Sequence, residues 1–252
     1  MRLRLVVALL LLLPGTARTF AGDAPPQREA QPLRVLFIGN SFTYGNDLPG
    51  MVAAMAAARG HAIQVGASLR GGYTLEKHVN EGKAVEMIRG RKWDVVVLQE
   101  QSFRPVSHPD KMLLFARALH EEIEKQGART LLFLTWAYRD HPKMQTALDK
   151  AYSDVAKELD AKVVPVGPAW QRVLAAAPQR SLHAKDGRHP NPAGTYLGAC
   201  VFYAVLFDQS PMGLPVELHK GEKTLAKLTP AEAAALQKIA WETLEEDERN
   251  RR

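Results

Sequence analysis

Arg34-Val35-Leu36-Phe37-Ile38-Gly39-Asn40-Ser41 (RVLFIGNS, residues 34–41) combines an apolar run with an abrupt polar stop. Five residues from Arg34 to Ile38 have the length and β-branched or aromatic character of a buried strand, and Gly39 ends it. Outward from this run the same alternation repeats. Leu48 to Arg59 is an Ala/Met-rich helix that stops at Gly60, and Ala62 to Leu69 is a second strand. Leu75 to Arg89 is a helical pattern closing at Gly90. Asp94 to Leu98 (DVVVL) is a third strand, apolar throughout, as a strand covered on both faces must be. Pro109 to Gln126 is an amphipathic helix, Thr130 to Thr135 a fourth strand, Gln145 to Leu159 a helix and Lys162 to Val166 a fifth strand. Pro165 inside that last run marks an edge strand or a strand end. Strands alternating with helices predict a parallel sheet with helices on both faces. Ligands of such sheets bind beyond the carboxyl ends of the strands. Pro192 to Phe207 reads as a further helix, and Thr229-Pro230-Ala231-Glu232 as the capped start of the last one.

The ends bound the setting. Arg2 and Arg4 precede an unbroken apolar run, Leu5 to Leu13, then Pro14, Gly15 and small residues near Ala17 and Ala21. That order predicts a signal peptide over residues 1–21, cleaved after Ala21, and hence export to the periplasm or the exterior. The run is shorter than the ~20 residues a membrane-spanning helix needs, so no stable membrane insertion of the mature chain is expected. Residues 22–32 (GDAPPQREAQP) are expected to be a disordered leader, and residues 33–252 a single domain. The full chain carries a net charge of +6; Arg2, Arg4 and Arg18 leave with the leader, so +3 remains. No basic stripe interleaved with aromatics appears, which argues against a nucleic-acid partner. Cys200 lies in an apolar stretch and reads as a small buried residue.

The polar residues at the strand ends carry the chemistry. The first strand runs into Gly39-Asn40-Ser41-Phe42-Thr43-Tyr44-Gly45-Asn46-Asp47, where the Ser41 hydroxyl can face a cleft. Gly, Asn, Ser and Asp are also ordinary turn residues, so this block alone does not separate a nucleophile from a loop. Asp186-Gly187-Arg188-His189 places a carboxylate three residues before an imidazole. It can hold one ring nitrogen while the other takes a proton, or it can be a loop ion pair with Arg188. Taken together, Ser41, His189 and Asp186 supply a hydroxyl, a base and a group that orients the base. Donors for an oxyanion are offered by Gly71-Gly72 after the second strand and by Gln99-Glu100-Gln101-Ser102 after the third. His61, His78, His108, His120, His141 and His183 show no metal-ligand spacing, and neither a metal nor another cofactor is expected. His108, Trp136 and Tyr138 fall on strand-end loops that can line the cleft.

These blocks, in this order, resemble the SGNH (GDSL-like) hydrolase superfamily: Gly39-Asn40-Ser41, Gly72, the segment after DVVVL, and Asp186 to His189 leading into an apolar helix. The resemblance implies a flavodoxin-like three-layer α/β/α sandwich on a five-stranded parallel sheet, and ester hydrolysis through an acyl-enzyme. It implies Ser41 as nucleophile and N–H donor, Gly72 as donor, His189 as base and Asp186 as its orienting partner. Two positions depart from the pattern. Asn40 stands where Asp is common, and the third block has LQEQS in place of Gly-x-Asn-Asp, resembling subgroups that use Gln. The donor role then falls to Gln99, with Gln101 as its rival. The expected partner is a small-molecule or carbohydrate ester. The alternatives are a catalytically impaired carbohydrate-binding protein and a thioesterase or lysophospholipase.

Overall fold

The computed structural model describes residues 31–251. The expected signal peptide and residues 22–30 of the expected leader lie outside the described residues. Five strands form one parallel sheet: β1 (Leu33–Gly39), β2 (Ile63–Leu69), β3 (Val95–Leu98), β4 (Arg129–Leu134) and β5 (Lys162–Pro165). Their order is β2-β1-β3-β4-β5, all neighbours parallel. The order reverses direction at β1, which has β2 on one side and β3 on the other. The crevice beyond that point is the usual ligand site of an open α/β sheet.

Among the described residues ten α-helices connect and flank the strands: α1 (Ser41–Tyr44), α2 (Leu48–Ala58), α3 (Leu75–Asn80), α4 (Lys83–Gly90), α5 (Arg104–Ser107), α6 (Pro109–Lys125), α7 (Met144–Glu158), α8 (Val166–Ala176), α9 (Pro192–Phe207) and α10 (Pro230–Arg251). Successive strand residues point to opposite faces, and both faces are buried along most of β1, β3, β4 and β5, whereas the edge strand β2 is partly exposed. Val35, Phe37, Val97, Phe133 and Val164 pack with α2, α8, α9 and α10. Leu36, Ile38, Val96, Leu132 and Val163 pack with α4, α6 and α7. This two-sided burial is why the strands read as continuous apolar runs. The result is the expected three-layer sandwich. β5 is an edge strand that ends on Pro165, and Cys200 is buried in the α9 layer.

Three features differ from the sequence expectation. The helical pattern from Leu75 to Arg89 is two helices, because the chain breaks at Glu81-Gly82. α8 follows β5 without a loop, its Pro168 sitting in the first turn where a missing N–H costs nothing. An antiparallel hairpin, β6 (Glu217–Lys220) and β7 (Lys223–Lys227), inserts between α9 and α10. Its Leu218, Leu225 and Ala226 join the core beside α2. No helix among the described residues is long and apolar enough to cross a membrane.

Candidate active site

Ser41 is the first residue of α1, directly beyond β1. Asn40 caps that short helix: its side-chain oxygen accepts from Phe42 N–H (3.1 Å), while its amide NH₂ donates to the Tyr73 carbonyl (2.9 Å). The second bond explains the departure from Asp at this position, since a carboxylate cannot donate to a carbonyl. Gly39 has no room for a side chain. A Cβ there would lie 2.5 Å from the Gln99 Oε1. His78, buried on α3, holds the same turn from behind by donating from Nε2 to the Gly39 carbonyl (2.8 Å). Burial lowers its pKa, so the ring is held neutral.

His189 reaches this turn from the loop before α9. Its Nε2 lies 2.9 Å from Ser41 Oγ, and its Nδ1 lies 2.5 Å from Asp186 Oδ2. The carboxylate can only accept, so Nδ1 carries the proton and Nε2 is free to take one from Ser41. The other carboxylate oxygen, Oδ1, accepts from the backbone N–H groups of Arg188 and His189, each at 3.0 Å. These bonds, the His189 ring first, hold the Asp186 pKa down at about 2. Asp186 therefore fixes the orientation of the His189 ring and shapes the loop that carries it.

The loop itself is braced on several sides. His183 pairs with Pro190 in an antiparallel bridge, and the Trp136 indole donates to the Arg188 carbonyl (2.9 Å). Asn46 donates to the Pro190 carbonyl (3.0 Å) and to Thr195 Oγ1 (2.9 Å), which ties the serine loop to the histidine loop. Phe42 stacks on Trp136, and Trp136 on Trp170, with ring centroids 4.8 and 4.1 Å apart. Trp136 is thus a buried packing residue and not a wall of the cleft. Residues 148 positions apart meet because both loops lie at the carboxyl edge of the sheet.

The donors divide. Gly72 is exposed in a turn closed by Tyr73 N–H to the Arg70 carbonyl. Its φ of +68° is one that glycine tolerates without strain. Gln99 does not fill the donor role expected of it. Its side chain is fully buried; Oε1 accepts from Asn40 N–H and Thr43 Oγ1 (both 2.9 Å), and the NH₂ donates to the Glu100 carbonyl. An N–H on one end and a carbonyl on the other fix the amide's orientation, and the fully buried side chain does not present its NH₂ to a substrate. Gln99 instead props up the serine turn. Gln101 is the amide near the surface. Its Oε1 caps α5 by accepting from Phe103 and Arg104 N–H (both 3.0 Å), and its NH₂ makes one long contact with Ser102 Oγ (3.4 Å).

Gln101 also lines a groove of about 1000 Å³ with Phe103, Val106, Tyr138, Met144 and Arg188. Arg188, the residue before His189, lines this groove, and its guanidinium lies over the Tyr138 ring at 5.0 Å. Tyr138 lines this groove, its hydroxyl 2.7 Å from Ser102 Oγ.

No family model and no curated protein matches the sequence. Solved structures do. A candidate SGNH hydrolase from Slackia heliotrinireducens is 28% identical, with a TM-score of 0.60 over 69% of this chain and 99% of that one. The chain belongs to the SGNH/GDSL-like hydrolase superfamily. Two more distant likenesses show the same fold. A DUF4886 family protein from Bacteroides uniformis is 21% identical, with a TM-score of 0.69 over 84% of this chain and 95% of that one. An acetylxylan esterase from Geobacillus stearothermophilus is 19% identical, with a TM-score of 0.56 over 68% and 92%. Within this superfamily the chain keeps the serine, glycine and histidine blocks and replaces the asparagine block by Gln99-Glu100-Gln101.

Proposed function

We propose that this SGNH hydrolase cleaves short-acyl esters of a carbohydrate or similar polyol through a Ser41 acyl-enzyme, and that it does so outside the cytoplasm. The observation that carries the reaction is the chain of contacts from Ser41 Oγ through the His189 ring to Asp186. His189 Nε2 takes the Ser41 proton as Oγ attacks the acyl carbonyl. The oxyanion is held by the N–H groups of Ser41 and Gly72, neither of which has a partner among the described residues, and by the Gln101 amide. Collapse expels the alcohol, which receives the proton from His189. Water, deprotonated by the same ring, then attacks the acyl-enzyme and releases the acid. The export reading rests on the apolar segment near the N-terminus.

The groove supports a polyol as the leaving group. Phe103 and Tyr138 offer aromatic faces, and Asp140, His141 and Arg188 offer polar groups beside them. The Geobacillus relative is named for deacetylating xylan. The test is a series of p-nitrophenyl esters from acetate to palmitate, with acetylated xylo-oligosaccharides alongside. Fastest turnover of acetate and release of acetate from the oligosaccharide are expected. A preference for long chains would turn the reading to a thioesterase or lysophospholipase. A folded protein that leaves a fluorophosphonate unreacted would turn it to a binding module.

The two glutamines should separate cleanly. Gln99→Leu strands the Asn40 N–H and the Glu100 carbonyl in the interior and is expected to cost about 2–4 kcal/mol of stability, read by urea unfolding. Gln101→Ala is expected to lower kcat about 10²-fold with a stability change of about 1 kcal/mol from the lost cap. Equal kcat in Gln101→Ala and wild type would leave the oxyanion with two backbone donors only.

A further inference from the structure

A buried carboxyl lies between the two loops that hold the proposed oxyanion donors. Glu100 is 1% exposed. One of its oxygens, Oε1, accepts from both Gln101 N–H (2.6 Å) and Leu75 N–H (3.1 Å). These donors belong to different strand ends. Leu75 opens α3 and follows Gly72-Tyr73-Thr74 directly, whereas Gln101 follows β3. The Glu100 backbone N–H is itself held by the Tyr152 hydroxyl (3.3 Å), fully buried on α7. A second tie runs between the same two segments, from Arg104 on α5 to Glu76 on α3. The remaining oxygen, Oε2, is buried and makes no hydrogen bond.

Burying a carboxyl costs free energy that an apolar side chain of the same size would not. What only the acid or its amide supplies here is one oxygen with two lone pairs, placed where both loops can reach it. We propose that Glu100 is a positioning residue of the oxyanion hole, fixing the Gly72 N–H and the Gln101 amide relative to one another by binding Leu75 N–H and Gln101 N–H on a single oxygen. The inference rests on Ser41 being the acyl-accepting nucleophile. Burial raises the Glu100 pKa to about 7. The tie survives protonation, because the carbonyl oxygen of the neutral acid accepts the same two bonds. Glutamine, which keeps that oxygen, is therefore the conservative replacement. Alanine removes it, and aspartate is one methylene too short to reach both donors.

The experiment uses the full chain with p-nitrophenyl acetate, kcat being expressed per site titrated to completion with a fluorophosphonate. Phenylboronate inhibition is measured in parallel, since its tetrahedral adduct on Ser41 occupies the oxyanion position. Glu100→Ala is expected to lower kcat about 10²-fold, the usual cost of a misplaced donor. KM should stay within about threefold, and boronate affinity should fall with kcat. Glu100→Gln is expected to restore kcat to within about threefold of wild type. Wild-type kcat per titrated site in Glu100→Ala would overturn the inference, even if the variant melts earlier, because the carboxyl would then serve the fold alone. If Glu100→Ala fails to fold, Glu100→Asp and Glu100→Gln decide it: an aspartate variant as fast as the glutamine variant overturns the proposal. A wild-type protein that neither hydrolyses esters nor takes the label refutes the hydrolase reading, whereas an active wild type with an unimpaired Glu100→Ala refutes only this step.

Discussion

Ser41→Ala is expected to lower kcat for p-nitrophenyl acetate by about 10⁶-fold, equivalent to about 8 kcal/mol of activation free energy. The size follows from what a single atom does here. In the proposed reaction Oγ is the atom that accepts the acyl group, and it is the partner of His189 Nε2 at 2.9 Å. Without it no acyl-enzyme can form, and only direct attack of water on the ester remains. The donors at Ser41 N–H and Gly72 survive the substitution, so a small residual rate over the uncatalysed reaction is expected. The fold should be indifferent, because Ser41 is only half-buried and its Oγ makes no other hydrogen bond among the described residues. Steady-state kinetics and thermal melting on the same preparation therefore separate chemistry from stability. Intact mass after fluorophosphonate treatment should show one adduct on wild type and none on the variant. A Ser41→Ala protein that keeps about a tenth of the rate would remove the serine from the mechanism.

The sheet was legible because parallel strands buried on both faces write themselves as apolar runs: RVLFI and DVVVL need no partner to be recognised. The helix after β5 was not, because Gly167 and Pro168 look like a loop until Pro168 is seen to occupy a first turn. The hairpin was hidden in ELHKGEKTLAK, where only Leu218, Leu225 and Ala226 face the core and a register shift after Leu218 breaks the alternation. At the site, position along the chain was informative and direction was not. Ser41, Gly72 and the Asp186/His189 pair all stand at the carboxyl edge of the sheet, as their places after strands or before α9 implied. Gln99 stands there too, but its side chain folds under the serine turn, where Asn40 N–H and the Glu100 carbonyl claim both ends of the amide. Glu100 and His78 gave no signal in sequence. An acid two residues from a strand end is ordinarily solvated, and only burial shows that its oxygen is shared between loops.

The second large effect is expected from Asp186→Asn, and it discriminates between orienting a base and shaping a loop. Asp186 Oδ1 accepts two backbone N–H groups, from Arg188 and His189, so in the variant the amide oxygen must occupy that place. The amide NH₂ then faces His189 Nδ1, where the carboxylate oxygen had accepted at 2.5 Å. Two donors cannot meet, so the ring adopts the other tautomer, with its proton on Nε2. Nε2 then donates to Ser41 Oγ and cannot deprotonate it. In a fully buried triad this change costs about 10⁴-fold in kcat. Here the Asp186 and His189 side chains are 48% and 44% exposed. Solvent screens the lost charge, while the tautomer penalty remains, and a loss of about 10³-fold is expected. The backbone bonds persist, so the variant should melt close to wild type. Asp186→Ala should melt earlier because the loop loses both of those bonds. In wild type the carboxylate's pKa is depressed to about 2, below the ordinary 3.8. Its stabilising contribution is therefore present above the ordinary value and is lost only as pH falls toward about 2. The acid limb of the kcat/KM profile should accordingly be free of an Asp186 titration until that pH. Full turnover in Asp186→Asn would reduce Asp186 to a loop cap and leave Ser41 and His189 to act as a pair.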